Sequence, residues 1–196
     1  MKKIFLGVVL AVTSLTAAAQ VQTGLRYGVT LSGSMSKYSG VDGAKNIFGY
    51  GVGLLLEYNF TPSVYLGTGL QAALRGSKIS SISVAGQRVN IDGDLKSYNL
   101  ILPVNIGGRI NVSNQVSVFG QAGPYVSYAV KKAGITIVGA DDINSESFDW
   151  GVNGKVGLEL FNEIQIYGGY ELGLKKVWGD SSKNRSIVFG LSYFFK

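Results

Sequence analysis

The chain has 196 residues, a formal charge of +6, 28 glycines, and neither histidine nor cysteine. Without cysteine there is no disulfide framework, no lipid-modified N-terminal thiol and no Cys-type metal chemistry, and without histidine the Ser-His-Asp arrangement and its relatives are excluded. Glycine stands at about twice its usual share of roughly 7%, yet 46% hydrophobic residues and abundant Tyr and Phe argue against a disordered, low-complexity chain.

The first stretch reads as an export leader. "MKK" is a positive n-region, "IFLGVVLAVTSL" an apolar h-region, and Ala17-Ala18-Ala19 an A-x-A site, so residues 1–19 are expected to be a signal peptide cleaved before Gln20. The apolar run is shorter than the roughly 20 residues a membrane-spanning helix needs. Loss of Lys2 and Lys3 takes 18 basic residues to 16 against 12 acidic, a net +4. These charges are scattered rather than clustered, so nucleic acid is not an expected partner.

Beyond residue 20 the longest apolar stretch is Val52 to Leu56, and the recurring pattern is alternation with period two. It recurs eight times. The first strand is expected over Thr23 to Ser34, with Leu25, Tyr27, Val29 and Leu31 on one face. The second, Phe48 to Phe60, sets Phe48, Tyr50, Val52, Leu54, Leu56, Tyr58 and Phe60 against Gly49, Gly51, Gly53, Leu55, Glu57 and Asn59, and ends at the turn Thr61-Pro62. The third, Val64 to Arg75, opposes Val64, Leu66, Leu70, Ala72 and Leu74 to Tyr65, Gly67, Gly69, Gln71 and Arg75.

The fourth strand, Lys96 to Arg109, places Tyr98, Leu100, Leu102, Val104 and Ile106 opposite Asn99, Asn105 and Gly107, and "NVSNQ" reverses the chain. The fifth, Val116 to Val130, carries Val118, Ala122, Val126, Tyr128 and Val130 against Ser117, Gln121, Gly123 and Ser127. The sixth, Phe148 to Leu160, carries Phe148, Trp150, Val152, Val156 and Leu158 against Asp149, Gly151, Lys155 and Glu159. The seventh runs from Ile164 to Leu174, and "IVFGLSYFFK" is the eighth. Pro103 and Pro124 fall inside strands without a donor for the ladder, where a bulge is expected.

Connections alternate in length. Those after the second, fourth and sixth strands are short, whereas Met35 to Ile47, Ser77 to Leu95, Lys131 to Ser147 and Lys175 to Lys183 are long and polar. This rhythm predicts an all-β, eight-stranded antiparallel up-and-down transmembrane β-barrel with tight periplasmic turns and long extracellular loops. A soluble eight-stranded calyx would put the polar face outside. Here an eight-stranded lumen is only wide enough for side chains to fill, so the small face is expected inside and the large face against lipid. Outward aromatics then fall at two levels: Phe48, Tyr50, Tyr98, Tyr128, Phe148 and Trp150 near the outer rim, and Tyr27, Tyr58, Phe60, Tyr193 and Phe195 near the periplasmic rim. Gly120, Gly154 and Gly168 interrupt the apolar face.

The chain resembles the small outer-membrane β-barrel proteins of Bacteroidota, the porin-family or PorT-family barrels. The resemblance runs through "GLRYGVTLS", "GLLLEYNFTPSVYLGTGLQ", "YNLILPVNIGGRI", "VFGQAGPYVSYAV", "DWGVNGKVGLEL", "IYGGYELGL" and "NRSIVFGLSYFFK". It implies localisation to the cell outer membrane, an architecture like that of OmpA and OmpX, and outer-membrane lipid as a partner. It also implies a C-terminal assembly signal at Gly190, Tyr193 and Phe195, read by the barrel assembly machinery during biogenesis, and it allows an accessory role in secretion.

The inward face is expected to hold a lumen charge network of Arg26, Glu57, Arg109 and Glu159 near the periplasmic end, with Lys155 and Glu171 higher and Arg75 near the outer rim. These charges suit either an ion path or a paired plug, and the plug follows from the cost of an unpaired buried charge. "GYGVG" lies in a strand with no helix after it, so it reads as lumen-facing glycine rather than a phosphate loop. Asp141, Asp142 and Glu146 suit either solvated loop charge or a weak divalent-cation site. "KISSISVAGQRVNI" and "ITIV" read as strands protruding beyond the bilayer, able to bind a partner by edge pairing. No catalytic residue, cofactor or resident metal is expected. The functional expectation is a non-enzymatic barrel with a structural, binding or envelope-accessory role through its long loops, engaging an envelope protein or extracellular ligand; the alternative is a narrow passive pore.

Overall fold

The computed structural model describes residues 23–39, 44–79, 82–84, 87–89, 93–133, 147–175 and 183–195. The expected leader, "ITIV", and the Asp141, Asp142 and Glu146 group lie outside them. Eight long strands form the body: β1 Gly24–Ser39, β2 Ile47–Asn59, β3 Val64–Ile79, β4 Gly93–Asn111, β5 Val116–Ala133, β6 Phe148–Leu160, β7 Ile164–Gly173 and β8 Lys183–Phe194. Each pairs antiparallel with the next, and β8 returns to pair with β1. The fold is the closed up-and-down barrel the alternation predicts. Closure pairs every strand on both sides, the condition for backbone to cross hydrocarbon.

Turn chemistry shapes the short-turn end. Thr61 Oγ1 accepts from the backbone N–H of Ser63 at 3.2 Å and of Val64 at 3.0 Å, and Ser113 Oγ does the same for Gln115 and Val116. The β6–β7 turn is tighter. Phe161 and Asn162 have φ of 56° and 60°, left-handed values at the two central positions of a turn that the Glu163 N–H closes on the Leu160 carbonyl at 3.0 Å. At the other end, Ala44–Lys45 adds to the edge of β3, and Ile82–Val84 pairs with Gln87–Val89 as a separate hairpin.

Polarity is inverted relative to a soluble domain. Leu54 is 65% and Val156 67% exposed, whereas Glu159 is 0% and Arg109 2% exposed. The apolar rows face outward and the charges form the core.

Three expectations need correction. The strands on the long-loop side run further than the apolar pattern: β1 reaches Ser39, β3 Ile79 and β5 Ala133, while β8 begins at Lys183. Outside hydrocarbon the outward positions need not be apolar, so the alternation fades while the ladder continues. The bulge lies at neither proline. Register slips between Tyr98, opposite Lys131, and Asn99, opposite Ala129, which leaves Val130 as the extra residue. Beside each proline the pairing lapses and resumes unshifted, on the β3–β4 side across Leu102–Pro103 and on the β4–β5 side across Val104–Asn105, opposite Pro124, and the Pro103 carbonyl accepts from Thr68 Oγ1 at 2.8 Å.

The third correction concerns the lumen, which holds large rings as well as small residues. Tyr65, Phe119, Tyr125, Tyr167 and Phe194 are all buried. Each faces a glycine across the ladder: Gly107, Gly157, Gly151, Gly190 and Gly28 respectively. A Cβ at Gly107 would run into the Tyr65 ring, and one at Gly190 would lie 2.5 Å from the Tyr167 hydroxyl. The glycines make room for rings rather than leaving the lumen empty.

Candidate functional site

The lumen is built in layers. At the short-turn end, Arg26 on β1 stands opposite Glu57 on β2, and the barrel brings in Arg109 from β4 and Glu159 from β6. Arg26 Nη2 lies 2.7 Å from Glu57 Oε1 and 2.7 Å from Glu159 Oε2. Arg109 Nη2 donates to Glu57 Oε1 at 2.5 Å, and its Nε lies 3.2 Å from Glu159 Oε1. Two cations and two carboxylates thus close a ring.

The remaining donors and acceptors are used locally. Arg109 Nη1 donates to Asn59 Oδ1 at 2.9 Å, Gln165 Nε2 to Glu159 Oε2 at 2.7 Å, and Arg26 Nη1 to the Asn162 carbonyl at 2.9 Å. Aromatic faces cover the guanidinium groups: Arg26 sits 4.0 Å from the Phe194 centroid and Arg109 4.6 Å from that of Tyr65, distances at which a cation is attracted to the ring. The four charges of the ring therefore balance, and hydrogen-bonding side chains from β1, β2, β4, β6 and β7 brace the floor.

Above it, the Thr30 and Tyr167 hydroxyls lie 3.0 Å apart and Ser192 Oγ donates to Thr30 at 3.0 Å. Asn153 Nδ2 donates to Asn105 Oδ1 at 2.9 Å and to the Gly123 carbonyl at 3.0 Å. A polar cavity of about 30 Å³, bordered by Gln71, Gln121, Lys155 and Tyr167, lies among these groups. It has room for one or two waters. Higher still, Arg75 pairs with Glu171 and lies 5.4 Å from the Tyr125 centroid.

Of the seven lumen charges singled out in the sequence, Arg26, Glu57, Arg109 and Glu159 thus meet in one cluster, and Glu171 meets Arg75. Lys155 is placed differently. No carboxylate of the described residues lies within ion-pair distance of it, and its Nζ sits 4.9 Å from the Tyr167 centroid. The sequence reading put Tyr65 on the inward row but missed the other four lumen rings, Phe119, Tyr125, Tyr167 and Phe194. Their signal was an aromatic on the small-residue row, but its partner glycine becomes visible only once the register between strands is known.

The outward aromatics fall at two heights. Phe48, Tyr50, Tyr98, Tyr128, Phe148 and Trp150 are exposed toward the long-loop end, with Tyr128 directly opposite Phe148. Tyr27, Tyr58, Phe60 and Phe195 are exposed toward the short-turn end, where Tyr27 and Phe195 lie 5.6 Å apart and Tyr193 and Phe195 5.3 Å. Phe189 joins the upper set through its 6.2 Å approach to Phe48. On β2 the two levels are about ten residues apart, ~33 Å along the strand, or ~25 Å along the axis at a tilt of ~40°, which matches the apolar band of outer-membrane barrels.

The family described as outer membrane protein beta-barrel domain matches residues 7–195. The chain belongs to this family. As an outer-membrane barrel it has hydrocarbon as the solvent of its exposed apolar rows. A search of curated proteins finds no match. Among solved structures the barrel is similar to Neisserial surface protein A (12% identity, 88% of this chain and 99% of that one, TM-score 0.54). It is also similar to OprG from Pseudomonas aeruginosa (15% identity, 90% and 98%, TM-score 0.50) and to Ail of Yersinia pestis in complex with the heparin analogue sucrose octasulfate (19% identity, 88% and 100%, TM-score 0.47). At these identities the likeness is one of fold.

Proposed function

We propose that this outer-membrane barrel is non-conducting and non-enzymatic, and that it acts through the strand ends and connections at its outer end in a structural or binding role in the envelope. The observation that carries this reading is the lumen floor, where Arg26, Glu57, Arg109 and Glu159 are cross-paired beneath Phe194 and Tyr65. Opening it would separate charges buried away from water, each of which costs several kcal/mol when unpaired. The lack of histidine and cysteine supports the non-enzymatic part. The resemblance to PorT-family barrels of Bacteroidota supports a secretion-accessory form of the same role, with an envelope protein or an extracellular ligand at the outer end and the assembly machinery reading Gly190, Tyr193 and Phe195.

A narrow passive pore is the second reading, favoured by the polar cavity beside Lys155. Single-channel recording on the refolded protein in planar bilayers separates the two. Conductance indistinguishable from the bare bilayer is expected; reproducible steps that vanish in a lumen-filling variant such as Gly53→Leu would establish the pore.

A further inference from the structure

Lys155 stands apart from the other lumen charges. It is 8% exposed and sits on the inward row of β6 between two sets of ions that are already matched. Below it, Glu159 belongs to the floor ring, and Glu57, which borders the same cavity as Lys155, is held by Arg26 and Arg109. Above it, Glu171, the next inward residue on β7 beyond Gly169, is paired with Arg75. Asp149 lies six residues away along β6, ~20 Å along the strand. Taking an ammonium out of water without a counter-charge costs far more than the face of one ring returns, and the Tyr167 ring at 4.9 Å is the only partner of Lys155 among the described residues.

The surroundings of this lysine are built from both neighbouring strands. Gln121 on β5 stands directly opposite it. On the other side stands Gly169 of β7, where a Cβ would lie 2.9 Å from Lys155 Cγ, so glycine there leaves room for the lysine stem. The side-chain amides of Gln121 and Gln71 border the same cavity of about 30 Å³, and neither makes a hydrogen bond among the described residues. Gln71 is itself buried. Three N–H-bearing groups with nothing to donate to thus open onto one polar space. Buried donors are ordinarily paired, so the space calls for an acceptor, and the ammonium sets the sign of its charge.

We propose that this cavity is a binding site for one small monovalent anion of the halide class, held by Lys155 Nζ and the amide N–H groups of Gln71 and Gln121. The volume suits a monatomic ion not much larger than a water. A water would satisfy the donors and leave the charge uncompensated, whereas a halide gives Lys155 the counter-charge that the other lumen cations already have. The site does not rest on whether the lumen conducts, since a closed barrel takes up the ion as it folds.

The test refolds the full chain into phospholipid vesicles in sodium chloride and, at equal ionic strength, in sodium gluconate, whose anion is too large for the cavity. Near the urea midpoint the ratio of folded to unfolded protein should be about tenfold higher in chloride, because an ion bound only by the folded state stabilises it. In Lys155→Met, which keeps the stem and removes the charge, the two salts should give the same ratio. Crystals of the wild-type protein grown in sodium bromide should show an anomalous bromide peak within hydrogen-bond distance of Lys155 Nζ, a readout that stands even if the Met variant fails to fold. Equal ratios for the wild type in the two salts, an undiminished chloride effect in folded Lys155→Met, or a water in place of the bromide peak would each overturn the proposal.

Discussion

Arg109 is a large charged side chain that is 2% exposed, and its tolerance rests on two carboxylates, Asn59 and the face of Tyr65. Arg109→Met removes one cation and leaves Glu57 and Glu159 to share Arg26. A loss of about 3–5 kcal/mol is expected, read from urea unfolding in phospholipid vesicles. The double variant R109M/E57Q restores a one-to-one pairing of Arg26 with Glu159 and should recover at least half of that loss. Glycines make the contrasting case. Gly107→Ala drives a methyl into the Tyr65 ring and should destabilise by more than 1 kcal/mol. A Cβ at Gly168 meets nothing within 4 Å, so Gly168→Ala should stabilise by about 0.5–1 kcal/mol through reduced chain entropy. In the sequence, Gly107 and Gly168 look alike; only their opposite faces separate them.

Among the elements, the β6–β7 turn holds Phe161 in left-handed backbone, a conformation that costs an ordinary residue about 1–2 kcal/mol. Phe161→Asn should therefore raise stability by about 1 kcal/mol in the same unfolding assay, because Asn enters this region readily. At the seam, β8 closes the ladder on β1, and Phe195 just past its end meets the Tyr27 ring. Loss of the Phe195 ring contacts in Phe195→Ala should cost about 1–3 kcal/mol, and heat-modifiable gel mobility should show a lower folded fraction. The eight strands were legible because each alternates for long enough that one face is unmistakable, as on β2 from Phe48 to Phe60. Their outer ends were not, since "SMSKYS" and "GSKI" lack the lipid-imposed pattern although their backbone stays paired. The bulge at Val130 was likewise illegible, because it depends on how two strands meet rather than on either one.

For the whole molecule, the inverted polarity means that folding requires a hydrocarbon solvent. Transfer from detergent to plain buffer should produce aggregation, measured by light scattering, because the exposed apolar rows far exceed the few hundred Å² a soluble monomer carries. The charged floor is likewise a property of the assembled barrel: it forms only when β1, β2, β4 and β6 converge. Residues 26, 57, 109 and 159 are spread over most of the chain, and their common height followed from counting strand direction. Their pairing with one another followed from the cost of an unpaired buried charge; that Lys155 would turn to Tyr167 did not.

Alternation with period two, alternating connection lengths and large-versus-small faces were enough to establish the number of strands, the closed barrel and which face meets lipid, because all three are local signals of burial imposed by the bilayer. The Gly–ring pairs of the lumen and the partners of Arg75 and Lys155 were decided by tertiary structure alone. Each depends on cross-strand register, and register is a relation between segments separated by loops whose residues carry no mark of it.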